Sequence, residues 1–362
     1  MRSLQPLFHK MNGSCQAYWQ CIRQEYGPFR PYARCGGQMG ADMTSRIIGT
    51  GSSLPETIIT NDWLSERMDT SDEWITSRTG IRERRLVREE TTADMAEQAS
   101  RLALEQAGIA PEDLDLIVVG TITADHVTPS AACELQARLG ANKAMAFDIN
   151  AACSGFLFSL ETADAFLGTG RFQNALVLGA ETLSRIMDWT DRSTCVLFGD
   201  GAGAAVLARE ETGILSFDQG CDGVRGSALV CRGRGNNNPL VTTGNEPDYV
   251  HMDGQEVYKF AVTTVPVSIH KALEQAGLQA EDIKYFFLHQ ANLRIIQSVA
   301  KRLHISVDKF PVSLDHCGNI SAASVPILLD EINRKGCLSR GDKIVLCGFG
   351  AGLSWGTAVM EW

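Results

Sequence analysis

Glu105-Gln106-Ala107-Gly108-Ile109 is replayed as Glu274-Gln275-Ala276-Gly277-Leu278, 169 positions later. Each copy is followed by an acidic pair (Glu112-Asp113 and Glu281-Asp282) and then by an apolar run at 116–119 or 285–288. The apolar run at Ala175 returns at Lys343, an offset of 168, and Phe147-Asp148 returns as Leu314-Asp315, an offset of 167. Three matches at nearly one offset indicate an internal duplication. Helical periodicity alternating with short apolar runs makes the repeated unit α/β. The expected halves are 43–212 and 213–362, meeting near residues 208–215.

Composition narrows the function. The chain has 362 residues, 44% of them apolar, and 34 glycines, which suits a large α/β core. Its net charge of −10 makes nucleic acid a poor partner. There is no apolar run of about 18 residues to span a membrane. Eleven cysteines are scattered without a C-x-x-C pair, which points to reduced thiols in a cytoplasmic protein and to neither a disulfide framework nor a zinc site. Residues 1–42 carry more basic than acidic residues, no apolar signal segment and no clear period. They read as a disordered or non-native extension, with Met43 as the natural start and only weak support for a targeting role.

From Ser45 the pattern becomes regular. Arg46 to Gly51 reads as a short strand into a glycine turn, Asn61 as a helix cap, 91–107 and 131–139 as helices, and 116–119 and 175–179 as strands. Phe198 to Leu207 reads as a glycine turn into a strand. It lacks the spacing of a phosphate loop, and no helix follows. Residues 210–255 are polar, glycine-rich and irregular.

Ala144 to Phe147 reads as a buried strand, and Phe156, Leu157, Leu160, Ala163 and Phe166 recur at helical spacing. Cys153 lies between them, at a strand–helix junction. There the free N–H groups and the positive end of the helix dipole favour a thiolate and lower its pKa. Small neighbours leave the sulfur approachable. Taken alone, the residue equally suits an inert place in the core. The duplication adds two partners: His289, where the strand of the second half ends, and Asn319, in the turn that corresponds to the one carrying Cys153. Reactive groups of α/β sheets gather at the carboxyl ends of strands, so a pseudo-twofold packing of the halves brings all three to one pocket.

These residues resemble the signatures of the β-ketoacyl-acyl-carrier-protein synthase III family. The likeness rests on Ala151-Ala152-Cys153-Ser154-Gly155-Phe156, His289-Gln290-Ala291-Asn292-Leu293-Arg294 and Gly318-Asn319-Ile320-Ser321-Ala322-Ala323-Ser324. It extends to Thr70-Ser71-Asp72-Glu73-Trp74-Ile75, Phe198 to Gly203 and the closing Gly350 to Gly356, and so runs from about Arg46 to Trp362. The resemblance implies a thiolase fold, a duplicated α/β unit in five αβαβα layers. It implies the initiating Claisen condensation of type II fatty-acid synthesis. Acyl-CoA acylates Cys153, and malonyl-acyl-carrier protein then loses carbon dioxide and attacks the thioester. By the same likeness, His289 and Asn319 hydrogen-bond the malonyl thioester oxygen, and the backbone N–H groups of Cys153 and Ala351 form the oxyanion hole. Ala351 stands where glycine is common. Trp74 and Arg192 match positions that sandwich the CoA adenine, while Arg78 and Asn292 match CoA contacts. Arg294 matches a carrier-protein contact. Thr128 matches the floor of the acyl pocket, contributed across a homodimer; where phenylalanine would shorten that pocket, threonine leaves room for longer or branched primers. No metal and no permanently bound cofactor is implied.

Three alternatives stand beside this reading. One is a same-fold condensing enzyme of polyketide or quinolone synthesis. Another is a Cys-His-Asn thioester hydrolase, which shares the residue types. The third is a non-catalytic scaffold. Cys347 tempts comparison with a second catalytic cysteine, but period-two alternation turns it to the other face and leaves it as strand core. Cys317 is also expected to be structural.

Overall fold

The computed structural model describes residues 43–362, apart from 234 and 244–247. The extension expected over residues 1–42 lies outside the described residues. Two sheets dominate. The first contains β1 (Thr44–Ser53), β4 (Leu116–Gly120), β5 (Met145–Ile149), β6 (Asn174–Thr182) and β7 (Asp200–Glu210), in the spatial order β1-β7-β6-β4-β5. A small hairpin of β2 (Ile58–Thr60) and β3 (Glu83–Arg85) stands beside it. The second sheet contains β8 (Ile214–Cys221), β9 (Ile283–Leu288), β10 (Lys343–Gly350) and β11 (Ser354–Glu361), in the order β9-β10-β11-β8. In each sheet the strands at one end run parallel (β5 with β4 and β4 with β6; β9 with β10) and the remaining pairs run antiparallel.

Side-chain alternation stacks the layers. Leu116 and Val118 of β4 face a central core, whereas Ile117 and Val119 face an outer one. Ile344 and Leu346 of β10 face the same central core, whereas Val345 and Cys347 face the opposite outer one. Cys347 is therefore strand core, turned away from the centre, as its parity required. The helices are α1 (Asn61–Ser65), α2 (Asp72–Thr79), α3 (Thr92–Ala107), α4 (Ala131–Leu139), α5 (Gly155–Gly168), α6 (Gly254–Ala276), α7 (Leu293–Leu303), α8 (Leu314–Cys317) and α9 (Ser324–Arg334). Helices α3 and α4 cover the first sheet, α5 and α9 fill the centre, and α6 and α7 cover the second sheet. This is the αβαβα order of the thiolase fold. Central position explains α5, whose Phe156, Leu157, Leu160, Ala163 and Leu167 are all fully buried.

Several expectations need correction. Strand β1 does not turn at its glycines. A Cβ on Gly49 or Gly51 would lie 2.3 or 2.2 Å from a carbonyl oxygen of α3, so these glycines admit a helix against the strand. Asn61 is not a cap. Thr60 caps α1, and the buried Asn61 amide donates to Asp72 and to the Ile81 carbonyl and accepts from Arg84. Gly201 and Gly203 lie within β7 and do not form a turn before it. The stretch read as irregular contains β8, whose apolar residues are too few and too mixed with polar ones to declare a strand. Strand β5 is a sheet edge with Met145 40% exposed, not a buried strand. Its sequence counterpart is not a strand at all. Leu314–Cys317 forms a helical turn, after which the Asn319 N–H donates to the Leu197 carbonyl and its carbonyl accepts from Gly199.

Candidate active site

Cys153 lies in a single 3-10 turn, Ala152–Ser154, between β5 and α5. An almost identical turn, Ser321–Ala323, precedes α9. Ala152 and Ser321 both adopt left-handed backbone, at φ 45° and 43°. The twin of Cys153 is thus Ala322, and only one of the two turns carries a thiol.

Hydrogen bonds connect His289 and Asn319 through Ser324 and Ser321. His289 follows β9, and its N–H donates to the Cys347 carbonyl at 2.7 Å. Its ring meets Phe349 edge-on at 5.2 Å, and Nδ1 lies 3.1 Å from Ser324 Oγ. Ser324 Oγ is also 3.0 Å from the Ser321 carbonyl. The Ser321 N–H donates to Asn319 Oδ1 at 2.9 Å, which leaves the Asn319 amide hydrogens for the pocket. Cys153, His289 and Asn319 are all buried, and they meet around the turn from Ser321 to Ser324. The end of β10 closes the site from the other side. A Cβ on Gly350 would lie 2.7 Å from Cys153 Cβ and 3.0 Å from its Sγ, so only glycine fits there.

The electrostatics differ from the expectation at the nucleophile. Burial pushes the Cys153 thiol up to about 12; the Ser321 hydroxyl pulls it down, and the Glu181 carboxylate raises it further. Loss of water is the largest influence on the sulfur and favours the thiol over the thiolate. Burial alone pushes His289 down to about 3, keeping the imidazole neutral. The sequence motifs contained Ser321, Ser324 and Gly350 without giving them a role, and Glu181 was missed. Glu181 had a signal, a lone acid within the apolar β6.

Ala351 follows β10 and has ordinary backbone; its neighbour Gly352 takes the positive φ of 137°. Its Cβ is therefore accommodated. Ser354 Oγ ties this turn to the nucleophile's turn, bonding the Ala351 carbonyl at 2.8 Å and Ser154 Oγ at 3.1 Å.

Trp74 lies half-buried on α2, which Ser71 caps. The Arg78 and Arg192 guanidiniums lie 5.0 and 5.4 Å from its ring centroid, and Arg192 pairs with Asp69 at 3.1 Å. A base stacked between Trp74 and Arg192 needs about 7 Å, twice a van der Waals contact, so Arg192 must swing outward to admit one. Asn292 caps α7 and reaches back to the Arg78 carbonyl at 3.1 Å; Arg294 reaches the Ser77 carbonyl at 2.9 Å. These five residues form one surface cluster. Thr128 does not join Cys153 within this chain; it is exposed on the loop before α4.

His316, Cys317 and Glu331 place ligand-type atoms within 4.8 Å of one another. His316 gives one ring nitrogen to Asp315 and the other to Glu331, each at 2.9 Å, and these bonds push it up to about 12. A doubly bonded imidazolium has no lone pair for a metal. The cluster fastens the segment before Asn319 to α9.

A thiolase fold with a buried Cys-His-Asn pocket defines a condensing acyltransferase. The family model described as "3-Oxoacyl-[acyl-carrier-protein (ACP)] synthase III" matches residues 147–223, and that for its C-terminal part matches 273–362. A Clostridium acetobutylicum β-ketoacyl-[acyl-carrier-protein] synthase III is 49% identical over 318 residues, 87% of this chain and 98% of that protein. The crystal structure of 3-oxoacyl-[acyl-carrier-protein] synthase III from Aquifex aeolicus matches with a TM-score of 0.82 at 44% identity, covering 88% of this chain and all of that one. The priming β-ketosynthase of the R1128 polyketide pathway matches with a TM-score of 0.84 at 36% identity, covering 90% of this chain and 98% of that one. This chain belongs to the β-ketoacyl-acyl-carrier-protein synthase III family. It performs the initiating condensation of fatty-acid synthesis.

Proposed function

We propose that acyl-CoA binds with its adenine on Trp74, that Cys153 takes the acyl group, and that malonyl-acyl-carrier protein is the second substrate. The supporting observation is the buried meeting of Cys153, His289 and Asn319 around Ser321 and Ser324. In acylation the sulfur attacks the thioester carbonyl. The backbone N–H groups of Cys153 and Ala351 hold the oxyanion, and CoA leaves. In condensation the Asn319 amide and His289 Nε2–H donate to the malonyl thioester oxygen while carbon dioxide departs. The resulting carbanion attacks the Cys153 thioester and releases 3-oxoacyl-acyl-carrier protein. The Ser324 hydroxyl proton has two acceptors, the Ser321 carbonyl and His289 Nδ1. Turned to Nδ1, it leaves the imidazole proton on Nε2, the tautomer that donates to substrate.

Arg78, Arg192 and Asn292 bind the CoA nucleotide, and Arg294 at the same rim faces the acidic carrier protein. A second copy of the chain brings its Thr128 to the acyl pocket. The halves 43–212 and 213–362 are copies of one unit, a reading supported by the twin turns around Ala152 and Ser321. Unpaired thiols at all eight described cysteines suit a reducing cytoplasm.

Intact-protein mass spectrometry with a panel of acyl-CoAs, followed by malonyl-acyl-carrier protein, tests this. An adduct on Cys153 that is consumed into 3-oxoacyl-carrier protein is the expected result, and the strongest adduct names the primer. An adduct lost only to water would overturn the reading in favour of a hydrolase. His289→Ala and Asn319→Ala should each still form the adduct but lose about 100-fold or more in malonyl decarboxylation.

A further inference from the structure

Glu181 lies near the end of β6, fully buried. One carboxylate oxygen accepts from the Ile122 N–H at 3.1 Å and from the hydroxyls of Thr121 at 3.3 Å and Thr123 at 2.5 Å. The other oxygen, Oε1, is buried without a partner. The Ser321 hydroxyl is also buried, close enough to both Glu181 and Cys153 to stabilise each anion but at full hydrogen-bond geometry with neither. The elements packed on Glu181 present neutral groups, namely Thr121, Ile122, Thr123 and Ser321, and one titratable group, the Cys153 thiol. A buried carboxylate whose second oxygen is unpartnered is costly, and such orphans cluster at functional sites.

We propose that Glu181, acting through the Ser321 hydroxyl, receives the Cys153 thiol proton during acylation and holds it until the thiolate is released again. The inference rests on Cys153 being the acylated residue. As sulfur bonds the acyl carbon, its proton passes to Ser321 Oγ, and the Ser321 proton passes to Glu181 Oε1. The C–S bond to CoA breaks, and CoA leaves as a thiolate that takes a proton from water. Once the enolate carbon has bonded the acyl carbon, the C–S bond to Cys153 breaks, the sulfur leaves as a thiolate, and the proton returns to it along the same path. One thiol proton is stored and restored in each cycle, with no oxidant or further reactant. The neutral acid also removes a negative charge from the pocket while the enolate oxygen forms.

His289 is poorly suited to this task. Its Nε2 must keep a proton to donate to the malonyl thioester, and burial makes its ring a weak base. Glu181, by contrast, is pushed up to about 7 by burial, against the hydrogen bonds it accepts. A base tuned near the working pH is the efficient one.

Glu181→Gln mimics the protonated acid and separates the two steps. Rapid-quench acylation of Cys153 by acyl-CoA should rise with pH around 7 in the wild type, and in the variant it should slow about 100-fold and lose that rise. Condensation of the pre-acylated variant with malonyl-acyl-carrier protein should stay within about twofold. If Glu181 acted only through its charge, removing it would lower the thiol pKa and speed acylation. Acylation at or above the wild-type rate, or an equal fall in both steps, overturns the proposal. Should Glu181→Gln not fold, Ser321→Ala decides on the same two rates, the split supporting the proposal and its absence overturning it. A wild-type protein that takes no acyl group on Cys153 refutes the functional reading; normal wild-type acylation with unaffected variants refutes only this inference.

Discussion

His289 and Glu181 share a pocket but tilt stability in opposite directions with pH. Folded His289 refuses a proton that the unfolded chain binds below pH 6.5, so its contribution falls as pH drops from 6.5 toward 3. Folded Glu181 keeps a proton that the unfolded chain has released above pH 4.5, so its contribution falls as pH rises from 4.5 toward 7. Each slope is about 1.4 kcal/mol per pH unit at most, and between 4.5 and 6.5 they oppose each other. Urea midpoints across pH 4.5–8 should therefore show Glu181→Gln gaining stability above pH 7 and rising more steeply with pH than the wild type. His289→Gln should slope the other way. A parallel offset of all three curves would contradict these protonation states. The pocket chemistry was only partly legible. Cys153, His289 and Asn319 announced themselves as residue types at duplicated positions. The direction of the thiol's shift did not, because burial is a property of the packed core and the helix terminus is a property of local sequence.

Helix ends assemble the rim proposed to bind the CoA nucleotide. Asn292 is both the cap of α7, accepting from the Arg294 N–H at 2.8 Å, and the donor to the Arg78 carbonyl. Asn292→Asp preserves the acceptor and removes the donor. The melting temperature should move little, while KM for acyl-CoA rises about tenfold, the scale of one lost hydrogen bond at 1.4 kcal/mol. A fall in stability with unchanged KM would mean that only the cap matters. Elements with strong local signals were readable: α4 spans 131–139 as its periodicity required, and α3 begins at the capping box of Thr91 and Asp94. Strand β8 was not readable. It owes its state to pairing with β11 across a long sequence separation, and its alternation is blurred by half-buried polar residues. The glycines of β1 misled for a related reason. They mark where α3 must approach, a tertiary demand that looks like a turn in the sequence.

At the scale of the molecule, Thr128 and its neighbour Val127 are both exposed, as the proposed contribution to a second copy's acyl pocket requires. Thr128→Phe should leave acylation by acetyl-CoA within about twofold and reduce acylation by branched or longer acyl-CoAs at least tenfold, the discrimination available from a few methylenes. Equal rates for all primers would show that this residue does not reach the pocket. The same edge of the molecule carries β5, with Met145 exposed and its remaining residues half-buried. The sequence counterpart of β5 is the helical turn Leu314–Cys317, which packs against β3, and an edge strand of the second sheet, β9, is buried or half-buried along its length. If the two halves are copies of one unit, as proposed, the repeat is broken at this segment, and of β5 and β9 it is β5 that exposes an apolar residue. Two intact halves would offer two sticky edges, and head-to-tail addition through them could grow without limit. In the proposed dimer, one exposed strand edge would be used in a single self-complementary contact, which closes at a pair and leaves no edge for head-to-tail growth.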